Sequence, residues 1–270
     1  MFKPEQGRRH DMPVVFGPSH LGARTTFTEK RSITHRFRTD PVTVAPLIPY
    51  HFGLSDPATV TVASTMQIGV DWLAGRNYHN VRVSVDVEAR DAGEVLRGPY
   101  HLVDWESDPR PVIAGREYLG IAKIVGEIPE HERDGDSAAF ECYEYGTRLL
   151  RVEVSNLQPV GADVVHRRNS RGDTVTFGWK YIPGPGGTVD ADYPVKMVSR
   201  GQVDAMWAGD GAAVFDLPSW QECPISARIV GTLATLPVLE ELPATVAVSS
   251  GGVLDRAAST RLDRRESQGG

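Results

Sequence analysis

The sequence predicts a mainly β protein, a β-rich α+β fold with a mostly antiparallel sheet and few short helices. Its clearest pattern has a period of two, because valines occupy alternate positions from Val81 to Val87 with polar residues between them. This alternation is typical of a half-buried strand. Residues 59–64 repeat it, and a Pro/Gly cluster at residues 183–187 ends a later β-rich run with a turn.

In chain order, the first predicted element is a short helix within residues 40–49, with Asp40 as N-cap and Pro41 at its first position. The two alternating segments follow as strands. A second short helix is expected over Leu236–Glu241. The β-rich composition predicts further strands over Phe140–Val154, Thr174–Ile182, Ala212–Leu217 and Ser226–Leu233.

One domain is predicted over residues 12–247. No linker or internal repeat divides this range, and a chain of 270 residues with 40% hydrophobic content can bury one large core. Residues 1–11 are polar and charged, and residues 248–270 are rich in Gly, Ser and charge. Both segments are expected to be flexible tails.

Charge and hydropathy disfavour several functions. The formal net charge of −6 disfavours nucleic-acid binding, which needs a clustered basic surface. No segment approaches the roughly 18 apolar residues of a membrane span, and residues 1–11 lack the apolar centre of a secretory signal. We therefore expect a soluble cytoplasmic protein. The histidines are dispersed and the two cysteines show no ligand spacing, so no metal site is expected.

Lys123 is the most informative residue of the chain, because it lies among Leu119, Ile121 and Ile124. Burial in such a segment disfavours the ammonium form and lowers the pKa of a lysine. A neutral amine is a nucleophile that condenses with a carbonyl to form an imine. We predict that Lys123 is a Schiff-base nucleophile. The alternative is an edge-strand lysine that hinders aggregation.

Several short motifs accompany Lys123 in a fixed order. The central motif is Ile-Ala-Gly-Arg-Glu at residues 113–117, which precedes Lys123, Gly126 and Pro129. Further motifs lie at residues 38–40, 46–49, 177–183, 207–211 and 216–218. In order and spacing these motifs, which extend over residues 12–242, resemble the acetoacetate decarboxylase family.

The resemblance implies a closed, cone-like antiparallel β-barrel with flanking strands. It implies that Lys123 lies deep in an apolar cavity and condenses with the keto group of a small oxo acid, such as pyruvate or acetoacetate. The protonated imine then serves as the electron sink, so neither an organic cofactor nor a metal is required. Family members commonly form homo-oligomers, and we expect one here.

Some family residues are replaced in this chain. Ala122 and Ile124 flank Lys123 where the family has a proline and a second lysine. A family glutamate associated with the substrate carboxylate and with protonation aligns with Asn80, and an amide cannot exchange a proton near neutral pH. Decarboxylation needs that proton, whereas aldol addition, dehydration and cyclisation use the same imine.

Carboxylate binding has three cationic candidates. Arg116 lies in the central motif, and a family arginine aligns with Lys30, with Arg31 adjacent. Guanidinium groups bind carboxylates through two parallel hydrogen bonds, which a lysine cannot reproduce. We predict that Arg116 acts together with Lys30 or Arg31.

The other candidates concern orientation and proton transfer. Tyr78 and Asn80 occupy alternate positions of one strand and hence one face, where they would orient a hydroxyl group or the imine nitrogen. Glu106 or water would carry protons, and Glu117 is expected to support the site structurally. The sequence therefore favours a Schiff-base lyase that performs aldol condensation with dehydration, or cyclisation, on a 2-oxo acid. The alternatives are a β-keto-acid decarboxylase and a non-catalytic small-molecule binding module.

Overall fold

The chain folds mainly as β-structure, as predicted. A computed structural model describes residues 1–262 and is 54% strand and 16% helix. Within this range the strands are β1 Arg24–Arg38, β2 Gly53–Leu54, β3 Thr59–Val70, β4 Arg76–Asp91, β5 Glu94–Glu106, β6 Lys123–Val125, β7 Glu132–Asp134, β8 Ser137–Glu144, β9 Thr147–Pro159, β10 Thr174–Pro183, β11 Val189–Arg200, β12 Ala205–Phe215 and β13 Glu240–Arg261.

The helices are short. Asp40 caps the first helix by accepting hydrogen bonds from the backbone N–H groups of Val42 and Thr43, and Pro41 is its first residue, which confirms the predicted N-terminus. The α-helices are α1 Pro41–Val44, α2 Pro109–Ala114, α3 Ala162–Asn169 and α4 Ala227–Leu233. No helix within residues 1–262 combines the length and hydropathy needed to cross a membrane.

Seven strands pair in a ring. The order is β1-β3-β4-β5-β10-β11-β13, and β13 also pairs with β1, which returns the hydrogen bonding to its starting strand. β5 and β10 pair in parallel through Tyr100 and Phe177. β12, β9, β8 and β7 continue from β13 as a flanking extension. The mostly antiparallel sheet with flanking strands that we expected is therefore present.

The main core lies on one face of β4 and β5. Val81, Val83 and Val85 of β4 are fully buried, and they cluster with Trp105 of β5 and with Phe140 of the β8–β9 hairpin. The alternation in the sequence thus predicted the core face of β4 correctly. The opposite faces of β4 and β5 point into the ring, and they carry the polar residues.

Two predictions for the later chain are wrong. Residues 226–233, predicted as a strand, contain α4, and residues 236–241, predicted as a helix, lead into β13. The buried Glu144 carboxylate accepts hydrogen bonds from the N–H groups of Ile225 and Ser226 and so stabilises the start of α4. Val230 and Leu233, three residues apart, face the core. This cap comes from a strand about eighty residues earlier, which local sequence does not reveal.

The predicted C-terminal tail is also wrong for residues 248–261, which belong to β13. β13 is paired with β1 on one side and with β11 and β12 on the other, so its backbone is ordered by hydrogen bonds rather than by apolar side chains. A Cβ at Gly252 would lie 2.1 Å from the Phe27 ring, so glycine is needed there. Residues 263–270 of the predicted tail lie outside the described residues.

The predicted N-terminal tail, residues 1–11, contains neither helix nor strand. Its last part nevertheless contacts the fold. The Tyr118 hydroxyl donates to Asp11 Oδ1 at 2.6 Å, and the Arg9 guanidinium stacks on the Tyr118 ring. Residues 9–11 are therefore held against the helical segment that precedes Lys123.

Candidate active site

A cavity of about 650 Å³ lies inside the ring of strands. All seven strands of the ring contribute residues to its wall, together with β6 and the segment that follows α3. The wall is rich in charge, and Lys123 is one of its residues. This cavity is the candidate active site.

Strand register brings distant polar residues together on the cavity wall. In the antiparallel pair β4–β5, Asn80 lies opposite Glu106 and Arg82 lies opposite Asp104. β6 runs parallel to β5, with Lys123 beside Asp104. Side chains directly opposite each other on neighbouring strands point to the same face of a sheet. These five side chains therefore face the cavity together.

A β-bulge in β5 adds His101 to this face. Val103 and His101 pair with consecutive residues of β4, which leaves Leu102 as the extra residue. A bulge shifts the alternation of side chains along its strand. His101 therefore lines the cavity, whereas regular alternation would place Leu102 there; Leu102 instead packs against the core.

Lys123 and Glu106 form a buried ion pair. Lys123 is 7% exposed, and its Nζ contacts Glu106 Oε1. The second oxygen, Oε2, has no hydrogen-bond partner within residues 1–262. Burial raises the pKa of Glu106 to about 7, against the opposing effect of the Lys123 charge. Near neutral pH, Glu106 is therefore present in both its protonated and its charged form, as a group that accepts and returns protons must be.

The helical segment before Lys123 positions its side chain. α2 continues into a π-helical turn, Gly115–Leu119, of a kind that is frequent at functional sites. A Cβ at Gly115 would lie 2.4 Å from Lys123 Cδ and 2.6 Å from Cε, so the lysine stem passes directly over the glycine. The turn ends at Gly120, whose φ of 62° is left-handed. A Cβ there would lie 2.6 Å from the Cβ of Lys180 on β10.

Asp104 is held by one hydrogen bond and one ion pair. Asn80 Nδ2 donates to Oδ1 at 2.6 Å, and Arg82 Nε lies 3.4 Å from Oδ2. Asp104 and Asn80 are both buried. The Asp104 charge is thus compensated locally, and Glu106 is left as the carboxylate with a free oxygen beside Lys123.

His101 presents a neutral imidazole to the cavity. Burial, followed by the charges of Arg82 and Lys123, lowers its pKa well below the ordinary value. Its Nε2 lies 3.4 Å from Arg82 Nη1, which can only donate, so the proton is assigned to Nδ1. Nδ1 is buried without a hydrogen-bond partner among residues 1–262. It is therefore a buried donor without an acceptor within this range.

Lys30 and Tyr78 line the same cavity. Burial, and then the charges of Arg82 and Arg168, lower the pKa of Lys30 to about 8. Burial and the nearby Glu106 charge raise the pKa of Tyr78 well above its usual value. Tyr78 therefore stays a phenol and a hydrogen-bond donor, and Lys30 remains mainly charged at neutral pH.

The structure brings five of the eight predicted site residues to the cavity and leaves three outside it. The five are Lys30, Tyr78, Asn80, Glu106 and Lys123.

The other three, Arg31, Arg116 and Glu117, do not line this cavity. Arg31 is exposed and pairs with Glu29, because the next residue of a strand points to the opposite face. Arg116 is on the outer side of the π-helical turn, where Nη1 donates to the Lys123 carbonyl oxygen at 3.0 Å. Glu117 accepts a hydrogen bond from Lys180 through its backbone carbonyl.

Arg82, His101 and Asp104 line the cavity but were missed by the sequence analysis. Arg82 is two residues after Asn80, and Asp104 is two before Glu106, so alternation from the predicted residues could have found both. No local signal indicates His101, because its direction depends on the bulge.

Residues 11–250 match the family model described as acetoacetate decarboxylase (ADC). A search of curated proteins finds no match.

Three solved structures of similar fold were compared with this chain. The acetoacetate decarboxylase from Legionella pneumophila subsp. pneumophila str. Philadelphia 1 is 16% identical, with a TM-score of 0.72 over 92% of each chain. A second acetoacetate decarboxylase is 14% identical, with a TM-score of 0.74 over 93% of this chain and 94% of that one. The enduracididine biosynthesis enzyme MppR, in complex with pyruvate, is 14% identical, with a TM-score of 0.68 over 96% and 99%.

At these identities the structural similarities concern the fold. The family model covers nearly the whole length of the chain, including the central motif and Lys123. The chain therefore belongs to the acetoacetate decarboxylase family.

Proposed function

We propose that the protein is a Schiff-base-forming lyase in which Lys123 condenses with the ketone of a small oxo acid. The observation that carries this proposal is the buried contact between Lys123 Nζ and Glu106 Oε1 in the wall of a cationic cavity. An amine needs a proton acceptor to become nucleophilic and a proton donor to expel water, and Glu106 can serve as both.

Imine formation involves no net gain or loss of protons by Glu106. Glu106 takes a proton from the Lys123 ammonium, and the free amine attacks the carbonyl carbon. The resulting carbinolamine loses its hydroxyl group as water when Glu106 returns the proton. The products are a protonated imine, one water molecule and the Glu106 carboxylate.

The same carboxylate supports the next step. Glu106 Oε2 has no hydrogen-bond partner within residues 1–262 and can accept the proton from the carbon next to the imine, which produces an enamine. The enamine carbon can attack an aldehyde, and loss of water from the adduct gives a dehydrated condensation product. His101 Nδ1 and the Tyr78 hydroxyl are available to donate to the oxygen that becomes negative.

Arg82 and Lys30 are the groups we assign to the substrate carboxylate, in place of Arg116 and Arg31. Both line the cavity, and the charge of Arg82 is one cause of the lowered pKa of Lys30, so the two cations are close. Arg82 Nε has no hydrogen-bond partner within the described range. Because Arg82 already lies beside Asp104, the substrate carboxylate would compensate mainly the charge of Lys30 and would accept a hydrogen bond from Arg82.

Condensation and dehydration, or cyclisation, are the outcomes we favour. The position of the family glutamate is occupied by Asn80, which donates a hydrogen bond to Asp104 and cannot transfer a proton. The enduracididine biosynthesis enzyme MppR has also been captured with the condensation product of pyruvate and imidazole 4-carboxaldehyde. Decarboxylation of a β-keto acid is the second candidate, because protonated Glu106 could supply the proton that the enamine needs after CO₂ leaves.

Reductive trapping tests the proposal. The protein is incubated with pyruvate or acetoacetate and cyanoborohydride, and the intact mass and the modified peptide are measured. We expect one reduced adduct on Lys123, although the chain contains five lysines. Lys123→Ala should lose the adduct and all turnover while its circular dichroism spectrum is unchanged, and the exposed Lys3→Ala should behave as wild type.

The outcomes separate the candidate functions. Pyruvate consumption in the presence of an aldehyde, without release of CO₂, supports condensation. Release of CO₂ from acetoacetate above the buffer rate identifies a decarboxylase. An unchanged protein mass with every oxo acid would refute the imine mechanism and leave the binding module.

A further inference from the structure

The open end of the cavity carries cations that the proposed imine chemistry does not use. They are Arg168, at the end of α3, and Arg171, in the loop that leads to β10. Both side chains are solvent-exposed, and both belong to the cavity wall. Lys30 lines the same cavity, and the charge of Arg168, after burial and the charge of Arg82, contributes to lowering the pKa of Lys30.

Arg168, Arg171 and Lys30 lack the carboxylate partners that the other cations of the wall have. Lys123 contacts Glu106, Arg82 lies beside Asp104, and Arg200 pairs with Asp173. Within residues 1–262, no hydrogen bond or ion pair engages the side chains of Lys30, Arg168 or Arg171. A protein of net charge −6 thus concentrates uncompensated positive charge in one cavity.

The end of α3 is held firmly at this place. Asn169 Nδ2 donates to the Val203 carbonyl oxygen, and Val203 N–H donates to Asn169 Oδ1, both at 2.9 Å. This pair of hydrogen bonds fixes the backbone between Arg168 and Arg171 against the loop before β12. The two arginines are therefore presented from an anchored segment, which reduces the entropy lost when they bind a ligand.

We propose that the substrate is a dicarboxylic oxo acid, whose second carboxylate is bound by Arg168 and Arg171. This inference rests on the proposed function, which places the ketone at Lys123 and the first carboxylate near Arg82 and Lys30. One carboxylate at that inner position leaves the two outer arginines uncompensated. Guanidinium groups match a carboxylate with paired hydrogen bonds, so a second carboxylate completes the balance.

A competing explanation is that these arginines only complement the negative end of the α3 dipole. Arg167 provides the matched comparison, because it is adjacent on the same helix, pairs with Asp163 at 2.7 Å and does not line the cavity. If the arginines only complement the helix dipole, substitution of Arg167 should have an effect similar to substitution of Arg168. If they bind a ligand, substitution of Arg167 should leave ligand binding unchanged.

The test compares oxo acids of equal chain length. Cyanoborohydride trapping rates are measured at low ionic strength and subsaturating concentration for 2-oxoglutarate against 2-oxopentanoate, and for 2-oxoadipate against 2-oxohexanoate. We expect at least one diacid to be trapped about tenfold or more faster than its monoacid, as a charge-assisted hydrogen bond predicts. The Arg168→Gln/Arg171→Gln double variant should bring this ratio close to one, and Arg167→Gln should keep it.

The results distinguish the two proposals. Equal trapping of diacid and monoacid in wild type, or a diacid preference that survives the double variant, would overturn the dicarboxylate assignment and leave the imine mechanism standing. Failure to trap any of these four acids, while pyruvate or acetoacetate is still trapped, would overturn only the dicarboxylate assignment. Failure to trap pyruvate and acetoacetate as well would overturn the proposed function, and this inference with it. Circular dichroism of each variant confirms that the fold is intact.

Discussion

The inner and outer ends of the cavity differ in whether their cations are paired with carboxylates. At the inner end, Lys123 and Arg82 each lie against a buried carboxylate, so the charges are matched before any ligand arrives. At the outer end, Arg168 and Arg171 have no such partner within the described residues. The Lys123–Glu106 pair suits proton transfer, because its two titratable groups are in direct contact in a buried site. Unmatched exposed charges suit attraction and selection of an anion.

This contrast predicts that substitutions at the inner end reduce the rate of chemistry, whereas substitutions at the outer end change the affinity for particular acids. The effects should decrease along the cavity from Glu106, through the glycine that supports Lys123, to Lys30 between the two ends.

Glu106→Gln should produce the largest effect, a loss of about 10²–10⁴-fold in the rate of imine formation, as is typical for removal of a general acid–base. In wild type the rate should rise with pH through about 7, because protonated Glu106 cannot accept the Lys123 proton and its pKa is about 7. Single-turnover trapping between pH 5.5 and 8.5 measures this.

In Glu106→Gln the rate of imine formation should not rise with pH near 7, since glutamine does not titrate. A Glu106→Gln profile that still rises near pH 7 would assign the titration to another group and weaken the contrast between the two ends.

Gly115→Ala should reduce activity about 10²-fold without unfolding the protein. Its backbone is in the right-handed helical region, so alanine is allowed there, but the added methyl group would lie 2.4 Å from Lys123 Cδ and must displace the lysine stem. A shift of about 1 Å at a reacting group can cost this much in rate. Trapping kinetics and thermal unfolding are measured together.

Gly231→Ala in α4 is the matched control, because a Cβ there meets nothing within 4 Å. It should keep wild-type kinetics and, since alanine is the better helix former, the same or higher unfolding temperature. Equal activity of Gly115→Ala and Gly231→Ala would show that the Lys123 side chain can occupy another position.

Sequence reasoning worked best where local periodicity decides the structure. The alternating valines of β4 predicted its core face, and Asp40 with Pro41 predicted the start of α1. The same alternation does not show whether the polar face of β4 is exposed to solvent or lines an internal cavity, because polar residues are found on both kinds of surface. Arg82 therefore looked like a residue of the wet face, although it faces the site.

Features set by distant pairing were not predictable from local sequence. The polar, Gly-rich residues 248–261 resemble a tail, but pairing with β1 and β11 makes them part of a strand that lines the cavity through Ser249. His101 reaches the site only through the bulge in β5. Lys123 could be singled out as a candidate because its apolar neighbours and the central motif lie close to it in the sequence.

Lys30 lies between the inner and outer ends of the cavity, and Lys30→Gln should have the smallest effect of the three substitutions. We expect an increase of about tenfold in the KM for the oxo acid with little change in kcat. Burial and the charges of Arg82 and Arg168 lower the pKa of Lys30 to about 8, so its positive charge is present below pH 8 and is lost above it. In wild type, KM should therefore rise as the pH increases beyond 8.

Two variants sharpen this expectation. Lys30→Arg should keep a low KM above pH 8, because a guanidinium stays charged there, and Arg31→Gln should change nothing, because Arg31 is exposed and pairs with Glu29 outside the cavity. Steady-state KM values from pH 7 to 9.5 for the three variants decide the question. Two results would contradict this expectation: a KM that does not change with pH in wild type, or a larger effect of Arg31→Gln than of Lys30→Gln. Either would mean that the substrate carboxylate does not bind at Lys30. The division between a charge-matched inner end and a ligand-selecting outer end would then be misplaced.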